Sequence, residues 1–117
     1  MSDRKLSSTN FQNQAFLEEK CALNELLYLL SKRWMTEVLF SVEEGHSRFS
    51  NLKEDLKLIS DHILADRLKM LEQHDLIRKD FLPGNPPRAE YTLTEKGTEL
   101  SELLDTLCGF AEHKMQF

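Results

Sequence analysis

All three prolines of this 117-residue chain fall within five consecutive positions, Pro83-Gly84-Asn85-Pro86-Pro87. Proline fixes φ and lacks an amide hydrogen, while Gly and Asn enter turn conformations at little cost. No helix or central strand can therefore run through this stretch. On its N-terminal side, residues 76–81 alternate loosely between apolar and polar. On its C-terminal side, residues 89–93 place Tyr91 and Leu93 on one face. Both flanks read as strands, so the cluster predicts a hairpin with a stiff tip.

The rest of the chain carries helical spacing. Leu23, Leu26, Leu27 and Leu30 recur at i, i+3, i+4 and i+7, and Trp34, Met35, Val38, Leu39 and Val42 continue the pattern. Gly45 reads as the C-terminal stop of that run, because glycine enters the left-handed region cheaply. Residues 46–49 suggest one small strand. Ser50 is read as the N-cap of a short helix holding Leu52 and Leu56, and Leu58-Ile59 as a turn with apolar anchors. Ser60 caps the next helix, whose Leu64, Leu68 and Leu71 form a narrow apolar stripe. Thr94 caps a final helix carrying Leu100, Leu103, Leu104, Leu107, Phe110 and Ala111. The order is helix, helix, short strand, helix, helix, hairpin, helix. The fold class is mainly α with a small β-hairpin wing, a winged helix-turn-helix. Residues 1–20 are expected to form a partly flexible or helical arm, and residues 21–117 the domain.

Charge limits the function. The chain holds 15 basic and 20 acidic side chains, a formal charge of −5, which argues against a binder that grips nucleic acid by bulk charge. Residues 45–90 hold 8 basic and 8 acidic groups, whereas residues 1–44 and 91–117 are net acidic. Contact with phosphate is thus expected in the neutral middle. The apolar runs are far shorter than the ~20 residues of a bilayer span, and no secretory core follows the polar N-terminus, so a cytoplasmic protein is expected. No nucleophile motif, phosphate loop or dinucleotide fingerprint is present, which argues against an enzyme. His46, His62, His74 and His113 lack metal-site spacing, and no cofactor is expected.

The helix-turn-helix is the pair of segments 50–57 and 60–73. With Leu64, Leu68 and Leu71 facing inward, a 100° step sends His62, Ala65, Asp66, Lys69 and Gln73 outward. Such a face fits the major groove, where polar groups reach base edges or phosphates and Ala65 offers an apolar contact to a thymine methyl. Backbone amides after Ser60 offer a phosphate site. Arg88 stands just after Pro86-Pro87, where a wing reaches an adjacent minor groove or phosphate. Arg48, Lys53 and Lys57 are candidates for the flanking backbone. The competing reading is a solvated helix surface on a winged-helix protein-interaction module without DNA binding. The acidic balance and the carboxylates of Asp61 and Asp66 support it.

The run Pro83-Gly84-Asn85-Pro86-Pro87-Arg88-Ala89-Glu90-Tyr91-Thr92-Leu93-Thr94-Glu95-Lys96-Gly97 resembles the wing signature of the HxlR family of bacterial transcription regulators, P-x-x-P-P-R-V-E-Y-x-L-T-x-x-G. Ala89 departs from it slightly. Arg48-Phe49-Ser50-Asn51-Leu52 resembles the family's R-F-x-E-L. Ile59-Ser60 and Leu64-Ala65-Asp66-Arg67-Leu68-Lys69-Met70-Leu71-Glu72 resemble its recognition helix. Ser31-Lys32-Arg33-Trp34 stands where the family usually has Gly-Gly-Lys-Trp, and Ala22 where it has Pro. Many members carry Lys or Arg at the position of His62, and Thr or Ser at that of Ala65.

The resemblance implies a MarR-like homodimer, joined by its N- and C-terminal helices, that binds a double-stranded DNA operator and regulates transcription, with repression expected. It also bears on the two cysteines. In some members the N-terminal cysteine reacts with oxidants, quinones or aldehydes, and Cys21 lies at the matching position, 13 residues before Trp34. Cys108 falls on the expected dimer helix, so a Cys21–Cys108 bridge between subunits is one expectation. Inert thiols, Cys108 buried on its apolar helix, are the other. A small-molecule or oxidant inducer follows from the first.

Overall fold

The computed structural model describes residues 22–117. The expected arm and Cys21 lie outside the described residues. The chain divides after Arg33 into a short first unit and a second unit, Trp34–Phe117.

Within the first unit, residues 22–31 form helix α1. Its end is held by Ser31, whose Oγ donates to the Tyr28 carbonyl at 2.8 Å, and the Lys32 ammonium lies 4.6 Å from the Tyr28 ring centre. Leu29 is buried, whereas Leu23, Leu27 and Tyr28 are exposed. The leucine face expected from spacing is thus shifted by part of a turn. With leucine at 26, 27, 29 and 30, spacing alone does not select the buried side.

The second unit is built around α2 (Met35–Glu43), which packs against three helices and the hairpin. Its Met35, Val38, Leu39 and Val42 are all buried. The helix starts after Trp34, whose φ of 71° interrupts the apolar run read from the sequence. It ends as expected: Gly45 has φ +107° and donates its amide to the Val42 carbonyl at 3.0 Å.

Two readings between α2 and α3 (Phe49–Leu56) are corrected. Residues 46–48 form no strand, and Phe49 already belongs to α3. The Ser47 carbonyl instead accepts one bond from the Tyr91 amide at 2.7 Å. The N-cap of α3 is Arg48, without a side-chain cap bond, and Ser50 lies inside the first turn. That single long-range bond fixes the chain at Ser47, and the helix begins as soon as it is released.

The turn to α4 (Asp61–Gln73) runs through Lys57 at φ 53°. Of the two expected anchors, Ile59 is buried at 1% exposure, but Leu58 is 88% exposed. Ser60 caps α4 as expected, its Oγ accepting from the Ile63 amide at 3.1 Å. Leu64, Leu68 and Leu71 are buried, as their spacing predicts. The helix closes in a Schellman motif. Asp75 is left-handed at φ 59°, its amide donates to the Glu72 carbonyl, and the Leu76 amide donates to that of Leu71.

Strands β1 (Ile77–Leu82) and β2 (Arg88–Leu93) pair antiparallel, from Ile77 opposite Leu93 to Leu82 opposite Arg88, with the proline cluster as the tip. Helix α5 (Glu95–Lys114) follows directly, capped by Thr94, whose Oγ1 accepts from the Gly97 amide at 2.9 Å and donates to the Asp75 carbonyl at 2.7 Å. The second unit is thus α3, α4 and α5 around α2, with one hairpin wing.

Candidate nucleic-acid interface

The outer face of α4 is set by its inner one. Because Leu64, Leu68 and Leu71 are immobilised in the core, the helix cannot rotate, and His62, Ala65, Lys69 and Gln73 are held away from the core. Among the described residues, neither His62 nor Lys69 is held in an ion pair. Asp66, half-buried, pairs with the Arg67 guanidinium. Asp61, the other acid of concern, lies 3.0 Å from the Lys53 ammonium. Both carboxylates that weigh against phosphate contact therefore have a cation beside them, which sequence spacing does not reveal.

The same geometry places Lys53 in a structural position. Its Nζ donates to the Ile59 carbonyl at 2.8 Å as well as approaching Asp61. It therefore clamps α3 to the turn and to the first residue of α4. Arg48 is half-buried at the start of α3, and Ser60 is exposed at the start of α4 with its hydroxyl committed to the Ile63 amide. The remaining amides of that first turn face outward with the positive end of the helix dipole.

On the wing, Arg88 is exposed at the first position of β2 and, among the described residues, has no ion-pair partner. Two further wing cations are not singled out by the sequence pattern. Arg78 is paired with Asp80 at 3.1 Å, and Lys79 stacks over the rings of Phe81 and Tyr91, at 5.3 and 5.8 Å. Alternation along a strand is the signal for Lys79, which stands opposite Tyr91 in the ladder.

Three features lie away from this face. A cavity of about 420 Å³ opens between α2, β2 and the start of α5, lined by Val42, Gly45, Ser47, Tyr91, Leu93 and Thr98 among others. Helix α5 exposes Leu103, Leu107 and Phe110 at 56–59%. Cys108 is exposed on the same helix, not buried as its apolar neighbours suggest. No helix among the described residues is long and apolar enough to cross a membrane.

Residues 29–117 match the HxlR-like helix-turn-helix family. The HTH-type transcriptional regulator YodB of Bacillus subtilis is 38% identical over 84 residues, 72% of this chain and 75% of that one. The HTH-type transcriptional regulator YtfH of Escherichia coli is 33% identical over 112 residues, 96% of this chain and 88% of that one. The reduced form of YodB superposes with a TM-score of 0.74 at 34% identity, covering 81% of this chain and 93% of YodB. YodB has also been solved after diamide treatment and with bound quinone. A protein described as a MarR-family transcriptional regulator, from Enterococcus faecalis, superposes with a TM-score of 0.74 at 27% identity, covering 92% of this chain and 91% of that one.

Proposed function

The chain belongs to the HxlR-like helix-turn-helix family of DNA-binding transcriptional regulators, and on that premise we propose that it acts as a homodimeric repressor with α4 as its reading helix. Each α4 enters the major groove of one operator half-site, and the two wings lie on the flanking backbone or minor groove. The observation that carries this reading is the locked orientation of α4, which holds His62, Ala65 and Lys69 outward beside the capped helix start. Lys69 and His62 donate to base edges or phosphates, Ala65 packs on a thymine methyl, and the amides after Ser60 take a phosphate. Asp66, held by Arg67, accepts from a base amino group.

The homodimer is supported by exposed apolar side chains on α1 and on α5. Leu103, Leu107 and Phe110 form one stripe of α5, a pattern that monomers seldom leave in water. Two-fold symmetry then sets the half-sites about 34 Å apart, one turn of DNA, or a multiple of that. Thiol control is supported by the likeness to YodB, which was solved after diamide treatment and with bound quinone, and by the exposure of Cys108. Cys21 and Cys108 are its proposed redox residues, and an oxidant or electrophilic small molecule the proposed inducer.

Fluorescence anisotropy with a labelled duplex of the protein's own upstream region tests the reading. The expected result is saturable binding that Lys69→Ala and Arg88→Ala weaken, and hydroxyl-radical footprinting of the same duplex is expected to show protection on one face at one-turn spacing. Binding by both variants equal to that of the parent chain would refute the assignment of this face.

A further inference from the structure

We propose that Glu44, His46 and Asp55 form a binding site for a divalent first-row transition metal ion at the joint between α2 and α3. One ligand atom from each lies within 4.8 Å of the other two. Glu44 is the C-cap of α2, His46 lies in the following loop, and Asp55 is in the last turn of α3. The sequence does not announce the set: His46 has no histidine or cysteine at metal-ligand spacing, and its partners are carboxylates that the fold brings in.

The hydrogen bonds around the set orient it toward a cation. The His46 Nδ1 lies 3.1 Å from the Ser41 carbonyl oxygen, which can only accept. The single proton of the Ser41 hydroxyl goes to Asp55 Oδ2 at 2.6 Å. Its oxygen, 3.3 Å from His46 Nδ1, is therefore also an acceptor there. Both contacts put the imidazole proton on Nδ1 and leave the lone pair on Nε2. A backbone carbonyl behind a histidine is the usual arrangement that fixes a metal-ligating tautomer.

Nε2 points at Asp55 Oδ1 across 3.8 Å, too far for a hydrogen bond. Two ligands at about 2.0–2.2 Å from a tetrahedral zinc ion are separated by about 3.4 Å, so a few tenths of an ångström brings His46 and Asp55 to ligand spacing, and rotation of the exposed Glu44 side chain, within 4.8 Å of both, completes the set. Asp55 Oδ2 is already occupied by Ser41, which frees Oδ1. Ser41 itself is buried at 2% exposure, so the orienting hydroxyl is rigid. His46 and Asp55 are about one-third exposed, which gives an ion access and leaves room for water as its remaining ligands.

One imidazole and two carboxylates select a borderline divalent ion such as Zn²⁺ over Ca²⁺ or Mg²⁺, which prefer oxygen alone. A bound ion would cross-link the end of α2, the loop and α3. Through the Lys53 clamp it would also steady the start of α4.

The experiment is competition for Zn²⁺ between the reduced full-length protein and a chromophoric chelator, repeated with Co²⁺ to read the ligand type. His46→Gln, Asp55→Asn and exposed Glu44→Gln are expected to weaken binding by about 10-fold or more, whereas His74→Gln and Cys108→Ser leave it unchanged. The Co²⁺ form is expected to lack thiolate-to-metal charge transfer. Glu44→Gln sits on the surface and does not endanger folding. Absence of uptake, equal affinity in the parent chain and Glu44→Gln, or a thiolate charge-transfer band would overturn the site.

Discussion

Replacing Gly97 by alanine isolates the contact that joins the α4–β1 turn to α5. A Cβ built on Gly97 would stand 1.9 Å from the Leu76 carbonyl oxygen and 2.9 Å from its carbon. Side-chain carbons essentially never approach closer than 3.0 Å, so the two backbones must separate by 1.1 Å or more. Neither can move freely. The Leu76 carbonyl accepts from the Thr94 amide at 3.1 Å, and the Leu76 amide closes the Schellman motif of α4. Overpacking of this kind costs about 1–3 kcal/mol, and loss of the Thr94 bond adds about 1 kcal/mol. The better helix propensity of alanine returns about 1 kcal/mol. A net loss of about 1–3 kcal/mol remains, equivalent to a fall in Tm of about 5–15 °C for a domain of this size. The assay is thermal and urea unfolding by circular dichroism at fixed protein concentration, since the proposed dimer would make stability concentration-dependent. Gly109, in the same helix, is the control, because a Cβ added there meets nothing within 4 Å. Gly109→Ala is expected to gain about 0.5–1 kcal/mol. A Gly97→Ala protein within about 0.5 kcal/mol of the parent would refute the close-approach argument.

Further outcomes follow from single contacts. Thr94→Ala removes a cap that both accepts from Gly97 and donates to Asp75; a loss of about 1–2 kcal/mol is expected in urea unfolding. Lys53→Met removes the clamp on the Ile59 carbonyl, with an expected cost of about 1 kcal/mol, the half-exposed pair with Asp61 adding little. Because Lys53 is turned to the protein, its replacement should leave the salt dependence of DNA binding nearly unchanged. Leu68→Ala opens a cavity beneath α4 and is expected to cost about 2–5 kcal/mol in the same unfolding assay.

The features legible in the sequence are local ones. The stripe of Leu64, Leu68 and Leu71, the caps Ser60 and Thr94, and the proline-rich tip each depend on residues within one or two turns, and each stands where the pattern predicts. The start of α3 differs because it depends on the bond between Ser47 and Tyr91, distant in the chain. Leu58 is no anchor, since hydrophobicity alone does not tell which of two neighbouring apolar residues faces the core. The acids of the α4 face look unfavourable in sequence because their partners, Lys53 and Arg67, are assigned by rotamers and not by spacing. Glu44, His46 and Asp55 are invisible as a group for the same reason.

The salt dependence of operator binding is the most direct test of the central claim that α4 and the wing grip DNA. Each phosphate contact contributes a slope of about −0.9 to a plot of log K against log salt. A dimer presenting two copies of Arg88 should lose about 1.8 of that slope in Arg88→Ala if both contacts are to phosphate. Lys69→Ala should weaken operator binding while discriminating less between operator and a scrambled duplex. An Arg88→Ala protein with the parent's slope, together with a Lys69→Ala protein of unchanged specificity, would contradict the account.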